Sequence, residues 1–397
     1  MIAGVYLYYF LAALACWFGL QSLLSGARFA AYVRRETACT LPEFQPFVSV
    51  MAPGRGLETG LSQNLRALLN QYYPRYEVLF VFDTADDPAV QVVEQIISRG
   101  SSRLARTIIA GPATDSGQKV HNLRVAVTEI DPESEVLVFV DTDARPGKNW
   151  LKQLVAPLAD EALGASTGYR WFIPDHGGIA TRLRGVWNAS IASALGSNTQ
   201  KNFCWGGSTA IRRTTFERLG ISEHWRGTVS DDFTITRVLK TAKLPVHFTP
   251  NCLIPSVGDC DLHELLEFTT RQVKLTRVYA PHLWLPLLLG SALFTLAFFG
   301  GLILIGFHPR SSAAYIFPLI IFTLGAAKSF IRFRAVSSVL RTSRRDLLAH
   351  IFLWPFASLL YLYNCIVAGF SRRIKWRGIT YELKSPNEAV IISREPQ

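Results

Sequence analysis

The sequence predicts an α/β domain built on a largely parallel sheet and joined to transmembrane helices. Strand-like and helix-like segments alternate from residue 47 onward, which is typical of a parallel sheet. Apolar segments of about 20 residues, the length that crosses a bilayer, stand on both sides of this region. Hydrophobic residues make up 49% of the 397-residue chain, a high share for a soluble protein. We therefore expect one transmembrane helix at the N-terminus and about three near the C-terminus.

The N-terminal segment is apolar over residues 2–24 and long enough to cross ~30 Å of hydrocarbon. A signal peptide is the competing interpretation. It is disfavoured because the basic residues Arg28, Arg34 and Arg35 follow the apolar stretch and none precedes it. The pattern predicts a membrane anchor over residues 1–27, with the chain cytoplasmic from residue 28 onward.

The alternating region predicts one domain over residues 42–260, with a linker at its start. Its expected strands include Phe47–Met51, Tyr76–Phe82 and the buried run that begins at Glu135. The helices between them carry leucine and other apolar residues at helical spacing. A chain that alternates in this way is expected to gather its strand ends, and its ligands, at one edge of the sheet.

The C-terminal part predicts an amphipathic interfacial helix over 261–282, a transmembrane region over 283–370 and a basic cytoplasmic tail over 371–397. The loop 331–346 and the tail are both basic and both favour the cytoplasm, yet a single span lies between them. Either 347–370 turns back as a re-entrant hairpin or the number of spans is different. The expected spans are 283–307, 313–330 and 347–370.

Charge and cysteine content limit the class of protein. The net charge of +11 is compatible with nucleic acid or with a membrane surface. The basic residues gather beside the apolar segments, so the membrane is favoured and no nucleic-acid partner is expected. The six cysteines include no C-x-x-C pair, which disfavours a zinc site and a disulfide framework. A reducing, cytosolic setting for the α/β domain is the default.

Two aspartates follow the buried strand that begins at Glu135. Asp141 and Asp143 are two residues apart, so in an extended chain they face the same side. Two close carboxylates repel each other, and a hard cation such as Mg²⁺ or Mn²⁺ would relieve this repulsion. A solvated turn is the alternative, since Asp143 is followed closely by Pro146. These residues alone leave both interpretations open.

Several motifs, in this order and spacing, carry a resemblance to a known family. Residues 47–279 resemble the family 2 glycosyltransferases with the GT-A fold, a Rossmann-like fold that binds nucleotide-sugars. With its apolar segments the whole chain resembles the ceramide-glucosyltransferase branch and its bacterial relatives. The motifs are the opening strand and loop 48–56, Gly117-Gln118-Lys119 with Asn122, Asp141-Thr142-Asp143, Gly206-Gly207-Ser208 and Asp231-Asp232.

The resemblance implies roles for individual residues. Asp143 and Asp141 correspond to the family's metal site for Mn²⁺ or Mg²⁺. Asp232 corresponds to the catalytic base, with Asp231 beside it; two acids that stabilise a helix N-terminus are the alternative. Asp83 corresponds to the aspartate that contacts the base, with a turn residue as the alternative. The residues implied to bind the nucleotide-sugar are Pro53, Arg55, Glu58, Asp83, Lys119, Asp141, Arg271 and Lys274.

One motif departs from the family pattern. The family has Q/R-x-x-R-W on the helix after the base, whereas this chain has Arg271-Gln272-Val273-Lys274-Leu275. A lysine cannot grip a diphosphate in the bidentate way that arginine does. Arg277 is a candidate to compensate. The missing tryptophan favours a single sugar addition over processive synthesis, and a basic helix face on anionic lipid is the alternative role.

Together these features predict a membrane-bound inverting glycosyltransferase with a cytoplasmic catalytic domain. The expected donor is a nucleotide-sugar, most simply a UDP-hexose, and the expected acceptor is a lipid. The alternatives are a processive polysaccharide synthase and a non-catalytic membrane protein that binds nucleotide-sugars. A channel or transporter is disfavoured because the apolar segments contain few polar residues, with Lys328, His350 and Asn364 the most evident.

Overall fold

A computed structural model describes residues 2–58, 60–99, 105–307 and 312–395 of the chain. The chain forms two compact units, each assembled from separate parts of the sequence. The helical unit combines the N-terminal part up to Arg35 with residues 172–194 and 257–371. The sheet unit combines residues 36–171, 195–256 and the C-terminal part from Arg372.

The sheet unit is built on a seven-stranded sheet within the described residues, in the order β3-β2-β1-β4-β6-β5-β7. Strands β1 to β4 pair in parallel around β1, and β6 pairs antiparallel with both β4 and β5. The predicted α/β fold with a largely parallel sheet is confirmed. The strands are β1 (Val48–Pro53), β2 (Tyr76–Phe82), β3 (Ala105–Ile109), β4 (Val136–Phe139), β5 (Ala165–Ile173), β6 (Thr209–Arg212) and β7 (Val246–Val257).

The central strands are largely apolar and fully buried, with Ser49 and Glu77 as the polar residues of β1 and β2. Every residue of β1, β2 and β4 is buried, as expected for inner strands of a parallel sheet. Helices of the unit are α2 (Leu61–Leu69), α3 (Pro88–Arg99), α4 (Gln118–Thr128), α5 (Trp150–Val155), α7 (Arg213–Arg218), α8 (Ile221–His224) and α9 (Asp231–Thr241), and a 3₁₀ turn covers Ala156–Ala159.

An aromatic cluster fixes the start of α9 against the sheet. Trp225 packs edge-on against Phe139 of β4 and Phe216 of α7, with ring centroids 5.4 and 5.3 Å away. Its indole N–H donates to the main-chain carbonyl of Asp231 at 3.1 Å. Ser230 is the N-cap, and its hydroxyl accepts from the backbone N–H of Phe233 at 3.4 Å. The first turn of α9 is therefore held at both its backbone and its cap.

The C-terminal tail is folded. Its residues form an antiparallel sheet in the order β10-β9-β8, with strands β8 (Arg373–Trp376), β9 (Ile379–Ser385) and β10 (Glu388–Arg394). This sheet belongs to the sheet unit. The sequence predicted a basic tail here and assigned it no secondary structure. Alternation is visible in β9, where Ile379, Tyr381 and Leu383 are buried while their neighbours are more exposed.

The helical unit contains three helices that are long and apolar enough to cross a membrane, among the residues described. They are α1 (Ile2–Ala38), α11 (Pro281–Phe307) and α12 (Ser312–Val336), which match the N-terminal anchor and the first two expected C-terminal spans. The unit also holds α6 (Ile179–Ala192) and α10 (Leu262–Tyr279). Helix α10 begins with a capping box between Asp261 and Glu264, in which each backbone N–H donates to the other's carboxylate.

The third expected C-terminal span, 347–370, is not one straight helix. It consists of α13 (Arg344–Phe352) and α14 (Trp354–Phe370), which meet at an angle of 59°. Pro355 lies in the first turn of α14. A proline there lacks the N–H that a continuous helix needs and its ring clashes with the preceding turn, so the helix breaks before it. The bent pair fits either a broken span or a re-entrant loop, the alternative that the basic loop and tail suggested.

The interior of the helical unit is also organised by aromatic packing. Trp187 of α6 stacks on Tyr361 of α14 with centroids 4.8 Å apart and planes 20° apart. The Tyr361 hydroxyl donates to the Trp187 carbonyl at 2.9 Å. Asn364, one of the polar residues noted in the apolar segments, is fully buried and accepts from Thr270 of α10 at 3.0 Å. Helices α6, α10 and α14 are thereby joined.

A close backbone approach in the sheet unit gives a stability test. A Cβ atom on Gly168 of β5 would lie 2.1 Å from the Cys252 carbonyl oxygen and 2.6 Å from the Ser208 hydroxyl. We expect Gly168→Ala to destabilise the protein by about 1–3 kcal/mol, because backbone must move to admit the methyl group. The measurement is the thermal midpoint of the purified chain in detergent. Gly147→Ala is the control, since no atom lies within 4 Å of that Cβ position, and equal midpoints for the two variants would contradict the expectation.

Candidate active site

Asp141 and Asp143 lie just beyond the carboxyl end of β4 and face a common spot. A single guanidinium nitrogen, Nη2 of Arg170, lies 3.2 Å from Asp141 Oδ2 and 3.3 Å from Asp143 Oδ2. Arg170 comes from β5, and its guanidinium also stacks on the Trp205 ring at 5.1 Å. The two carboxylates are therefore bridged by a cation of the protein itself.

Lys119 forms a second cationic bridge. It lies in the first turn of α4, and its Nζ is 2.8 Å from Asp141 Oδ1 and 3.1 Å from Asp231 Oδ1. Asp231 is the first residue of α9, so one ammonium group connects the carboxylates that follow β4 and begin α9. The structure thus brings together four of the residues that the sequence singled out: Lys119, Asp141, Asp143 and Asp231.

Burial sets the protonation behaviour of these groups. Burial acts to raise the pKa of Asp141, but Lys119 and Arg170 outweigh it and the pKa is lowered. Burial raises the pKa of Asp143; Arg170 opposes this rise and Asp141 adds to it. Burial also raises the pKa of Asp231, to about 6, against the opposing charge of Lys119. For Lys119, burial acts to lower the pKa, but the surrounding carboxylates raise it, so the ammonium stays charged.

Asp232 occupies a different environment from Asp231. Its side chain is partly exposed, whereas Asp231 is only 3% exposed. Asp232 Oδ1 accepts from the backbone N–H of Phe233 at 2.7 Å, and Oδ2 accepts from the N–H of Gly206 at 3.3 Å. These hydrogen bonds fix the orientation of the Asp232 carboxylate without pairing it with a cation.

Gly206 and Gly207 let the main chain approach the carboxylates closely. A Cβ atom on Gly206 would lie 2.2 Å from Asp231 Oδ2 and 2.8 Å from Lys119 Nζ. On Gly207 it would lie 2.8 Å from Asp141 Oδ2 and 2.3 Å from the Trp205 ring. Any larger residue would displace part of the charged cluster. The glycine-rich segment is therefore explained by steric access, whatever else it contacts.

A second polar group lies at the carboxyl ends of β1 and β2. Arg55 Nε donates to Asp83 Oδ2 at 2.9 Å, and both side chains are more than 90% buried. Asp83 Oδ1 is buried and has no hydrogen-bond partner among the described residues. An unpaired buried acceptor is costly, so this oxygen suits the N–H group of a ligand. Pro53 ends β1 beside this pair, and Glu58 forms an ion pair with Arg377 of the tail.

The predicted basic residues of 271–277 lie on α10 in the helical unit. Lys274 Nζ donates to the Ser371 hydroxyl at 3.3 Å, and the Arg271 guanidinium lies 5.7 Å from the Phe268 ring centre. Arg277 donates to the Ala368 carbonyl and stacks on Trp284. These contacts lie within the helical unit, and the role of Arg271 and Lys274 in binding the donor stays a prediction.

Two parts of the site were missed by the sequence analysis. Arg170 was overlooked, although a single arginine inside the otherwise uncharged segment 163–173 is an unusual residue in a buried strand. The contacts that the tail makes with Arg55, Glu58 and Gln118 were also missed. No sequence signal pointed to the contacts of the tail, because partners such as Gln118 and Tyr381 are more than 250 residues apart in the sequence.

The carboxylates of this cluster are candidates to hold a metal ion. Among the residues described, no group of three or more histidine, cysteine, aspartate or glutamate side chains could hold one. Mg²⁺ and Mn²⁺, however, often use only one or two carboxylates together with substrate phosphates. Asp141 and Asp143 supply such a pair, and together with Asp231 and Asp232 they outnumber the two cations Lys119 and Arg170. The donor set thus fits a cation that arrives with a diphosphate.

Fold and site together define an α/β domain with a charged cluster beyond the carboxyl end of β4, in a chain that also carries long apolar helices. The chain belongs to glycosyl transferase family 21, whose family model matches residues 7–389. The resemblance to the ceramide-glucosyltransferase branch is thereby confirmed at the level of family.

Individual relatives are distant. The chain is 21% identical over 246 residues to ceramide glucosyltransferase 3 of Caenorhabditis elegans, covering 60% of this chain and 52% of the relative. It is 28% identical over 182 residues to the probable glycosyltransferase YdaM of Bacillus subtilis (strain 168), covering 44% and 42%. The chain thus spans about half the length of these curated relatives. Among solved structures it is similar to the mannosyltransferase PcManGT from Pyrobaculum calidifontis in complex with GDP-Man and Mn²⁺, at a TM-score of 0.48, 18% identity, and coverage of 90% of this chain and 98% of that one.

The raised pKa of Asp231 predicts a pH-dependent effect of one substitution. The folded protein holds a proton on Asp231 up to about pH 6, well above the ordinary range of an aspartate. This contribution to stability is present in acid and is lost as the pH rises through 6. Asparagine cannot ionise, so Asp231→Asn should gain stability relative to the wild type between pH 5 and pH 7.5.

The measurement is the thermal midpoint of both proteins in detergent at the two pH values. Glu161→Gln, which removes an exposed carboxylate of the same unit, is the matched control and should show no such trend. A midpoint difference between Asp231→Asn and wild type that stays constant or shrinks toward pH 7.5 would contradict the assignment.

Proposed function

We propose that the protein is a membrane-bound inverting glycosyltransferase that moves a sugar from a nucleotide-sugar to a lipid hydroxyl. The observation that carries this proposal is the bridge that Lys119 makes between Asp141 and Asp231. Lys119, from one motif, thus lies between Asp141 and Asp231, which belong to two other motifs, at the edge of the sheet where α/β proteins bind ligands. Family membership supplies the reaction class.

The nucleotide end of the donor is assigned to the Arg55–Asp83 pair. The unpaired Asp83 Oδ1 suits an N–H group on the edge of a base, such as that of uracil or guanine. The diphosphate is assigned to the neighbourhood of Lys119, at the N-terminus of α4. An ammonium group and the positive end of a helix dipole both stabilise phosphate charge there. We favour a UDP-hexose as donor.

A divalent cation, Mn²⁺ or Mg²⁺, would be held by Asp143 and Asp141, and when bound it neutralises the departing diphosphate. Arg170 keeps the two carboxylates oriented toward one spot by contacting both. Lys119 adds positive charge at the same place, in a setting where solvent screening is weak.

Asp232 is assigned as the general base and Asp231 as the residue that positions Lys119. The acceptor oxygen forms a bond to C1 of the sugar as the bond from C1 to the phosphate oxygen breaks, and its proton passes to the Asp232 carboxylate. The electron pair leaves with the nucleoside diphosphate. Attack from the face opposite the leaving group inverts the configuration at C1. Asp232 suits this role because it is oriented by hydrogen bonds and is free of a cationic partner in the described contacts.

A lipid acceptor is supported by the helices in the same chain and by the similarity to ceramide glucosyltransferases. A cytoplasmic orientation of the sheet unit is supported by the positive charges in and just after the C-terminal ends of α1 and α12, because basic residues favour that side of a membrane. They include Arg34, Arg35, Arg334 and Arg341. Nucleotide-sugars are available there.

Asp232→Asn tests the base. We expect kcat for sugar transfer to fall by about 10²–10⁴-fold, the usual contribution of a general base, with nucleotide affinity unchanged. The assay is transfer of radiolabelled sugar from UDP-sugars and GDP-sugars to extracted lipids, with nucleotide binding measured separately by calorimetry. Lys240→Ala, at the exposed end of the same helix, is the control.

The transfer assay also separates the alternatives. Label in a growing polymer would favour a processive synthase. No transfer from any donor, with binding equal in wild type and Asp232→Asn, would favour a protein that only binds nucleotide-sugars.

Removal of the metal tests Asp143. We expect EDTA to abolish UDP binding and Asp143→Ala to have the same effect in the presence of Mn²⁺, because the diphosphate charge would then lack its main counter-ion. Glu161→Gln should bind UDP normally. Full UDP binding in EDTA would count against a metal at this site.

A further inference from the structure

The tip of the C-terminal sheet has an unusual backbone. A two-residue turn, Arg377-Gly378, joins β8 to β9, with φ values of 49° and 74°. Turns with both central residues in the left-handed region favour Asn-Gly or Asp-Gly, since these residues adopt that conformation readily. Arginine does so at a conformational cost. A residue retained in such a conformation often has a functional reason, and here its contacts indicate one.

The turn contacts the loop that follows β1. The Arg377 carbonyl accepts a hydrogen bond from the Arg55 guanidinium, and the Arg377 guanidinium forms an ion pair with Glu58. Arg55 in turn donates through Nε to Asp83. One arginine is thus shared between the tip of the C-terminal sheet and the aspartate whose other oxygen is unpaired. The position of Asp83 depends on what holds Arg55.

A second contact joins the same sheet to the start of α4. The Tyr381 hydroxyl, 1% exposed, accepts from the backbone N–H of Gln118 at 3.0 Å. Arg394 of β10 donates to Gln118 Oε1 at 3.0 Å and also to the Ala113 carbonyl. Gln118 is the residue before Lys119. The C-terminal sheet therefore contacts both segments to which the donor is assigned.

A third contact joins the sheet to α9. Asn387, in the turn between β9 and β10, accepts from Arg237 at 2.6 Å through its side-chain oxygen. The small sheet is thus fastened to the loop after β1, to the start of α4 and to the helix that begins with Asp231 and Asp232. Three contacts to three different segments orient the sheet far better than one would.

We propose that the C-terminal sheet is part of the donor site, with two positioning residues. Arg377 holds Arg55 in the geometry that receives the nucleoside, and Tyr381 holds Gln118 at the helix start that receives the diphosphate. This inference rests on the proposed function. It goes beyond that function by assigning a role to a segment that comes after all the apolar helices in the chain. It also assigns the specificity for the base to contacts made across more than 300 residues of sequence.

The test compares a nucleotide with a ligand that lacks the nucleoside. Binding of UDP, GDP and inorganic pyrophosphate, each with Mn²⁺, is measured by calorimetry on the full chain in detergent. Tyr381→Phe loses only the hydroxyl that accepts from Gln118. For this variant we expect roughly tenfold weaker binding of whichever nucleotide, UDP or GDP, the wild type binds more tightly. For Arg377→Gly, which keeps the left-handed turn and the carbonyl but loses the Glu58 ion pair, we expect weakening in the same direction. Pyrophosphate binding should be unchanged in Arg377→Gly, whose contacts are with the nucleoside segment, and weakened by a similar factor in Tyr381→Phe, whose contact is beside Lys119.

Lys384→Ala is the matched control, because Lys384 lies on β9 and its ion pair is with Glu382 of the same strand. Equal loss of nucleotide and pyrophosphate binding in Arg377→Gly, with a lower thermal midpoint, would show a general role in folding and overturn the proposal. Unchanged nucleotide binding in both variants would overturn it as well, while leaving the proposed function intact. Failure of the wild type to bind UDP or GDP would overturn the proposed function and this inference with it.

Discussion

The site depends on the requirement that buried charges be paired. Asp231 is buried and the neighbouring Asp141 and Asp143 are only partly exposed, a setting in which an isolated carboxylate is destabilised. Lys119 and Arg170 make this arrangement stable, and each does so by contacting two carboxylates. The cations come from a helix start and a strand, and each contacts a different oxygen of Asp141. The balance remains negative, which is the condition for attracting a further cation with a bound diphosphate.

The packing around the site positions its charged groups. Trp225 packs against Phe139 and Phe216 in the core and donates to the Asp231 carbonyl, so the hydrophobic core sets where α9 begins. Gly206 and Gly207 leave room for the carboxylates that larger residues would displace. The difference between Asp231 and Asp232 follows from one step along a helix: one side chain turns inward to Lys119, and the next stays partly in solvent.

Much of this arrangement could be predicted from the sequence because it follows from local rules. Asp141 and Asp143 follow a buried strand, and Lys119 and Asp231 lie at helix starts; parallel strands collect such ends at one edge of a sheet. Arg170 could not be placed in this way. It lies on β5, which reaches the site through antiparallel pairing with β6, and that register is set by tertiary contacts such as those of Gly168. The position of the C-terminal sheet was still harder to predict, because the residues that it contacts lie far away in the sequence. For residues 347–370 the sequence left open a re-entrant hairpin or a different number of spans, and it gave neither the position of the break nor its angle.

The contacts of α10 offer an explanation for the departure of residues 271–275 from the family motif. Lys274 and Arg277 bond to Ser371 and to the Ala368 carbonyl, at the C-terminus of α14, where cations are stabilised by the helix dipole and by unpaired carbonyl groups. Arg277 also stacks on Trp284, so its described contacts account for both its charge and its flat face. We infer that these two cations join α10 to α14 and that the diphosphate charge is met by Lys119 together with the divalent cation that Asp143 and Asp141 would hold. On this view the replacement of arginine by lysine at position 274 is tolerable, because a point charge is sufficient to bond a hydroxyl group at a helix end.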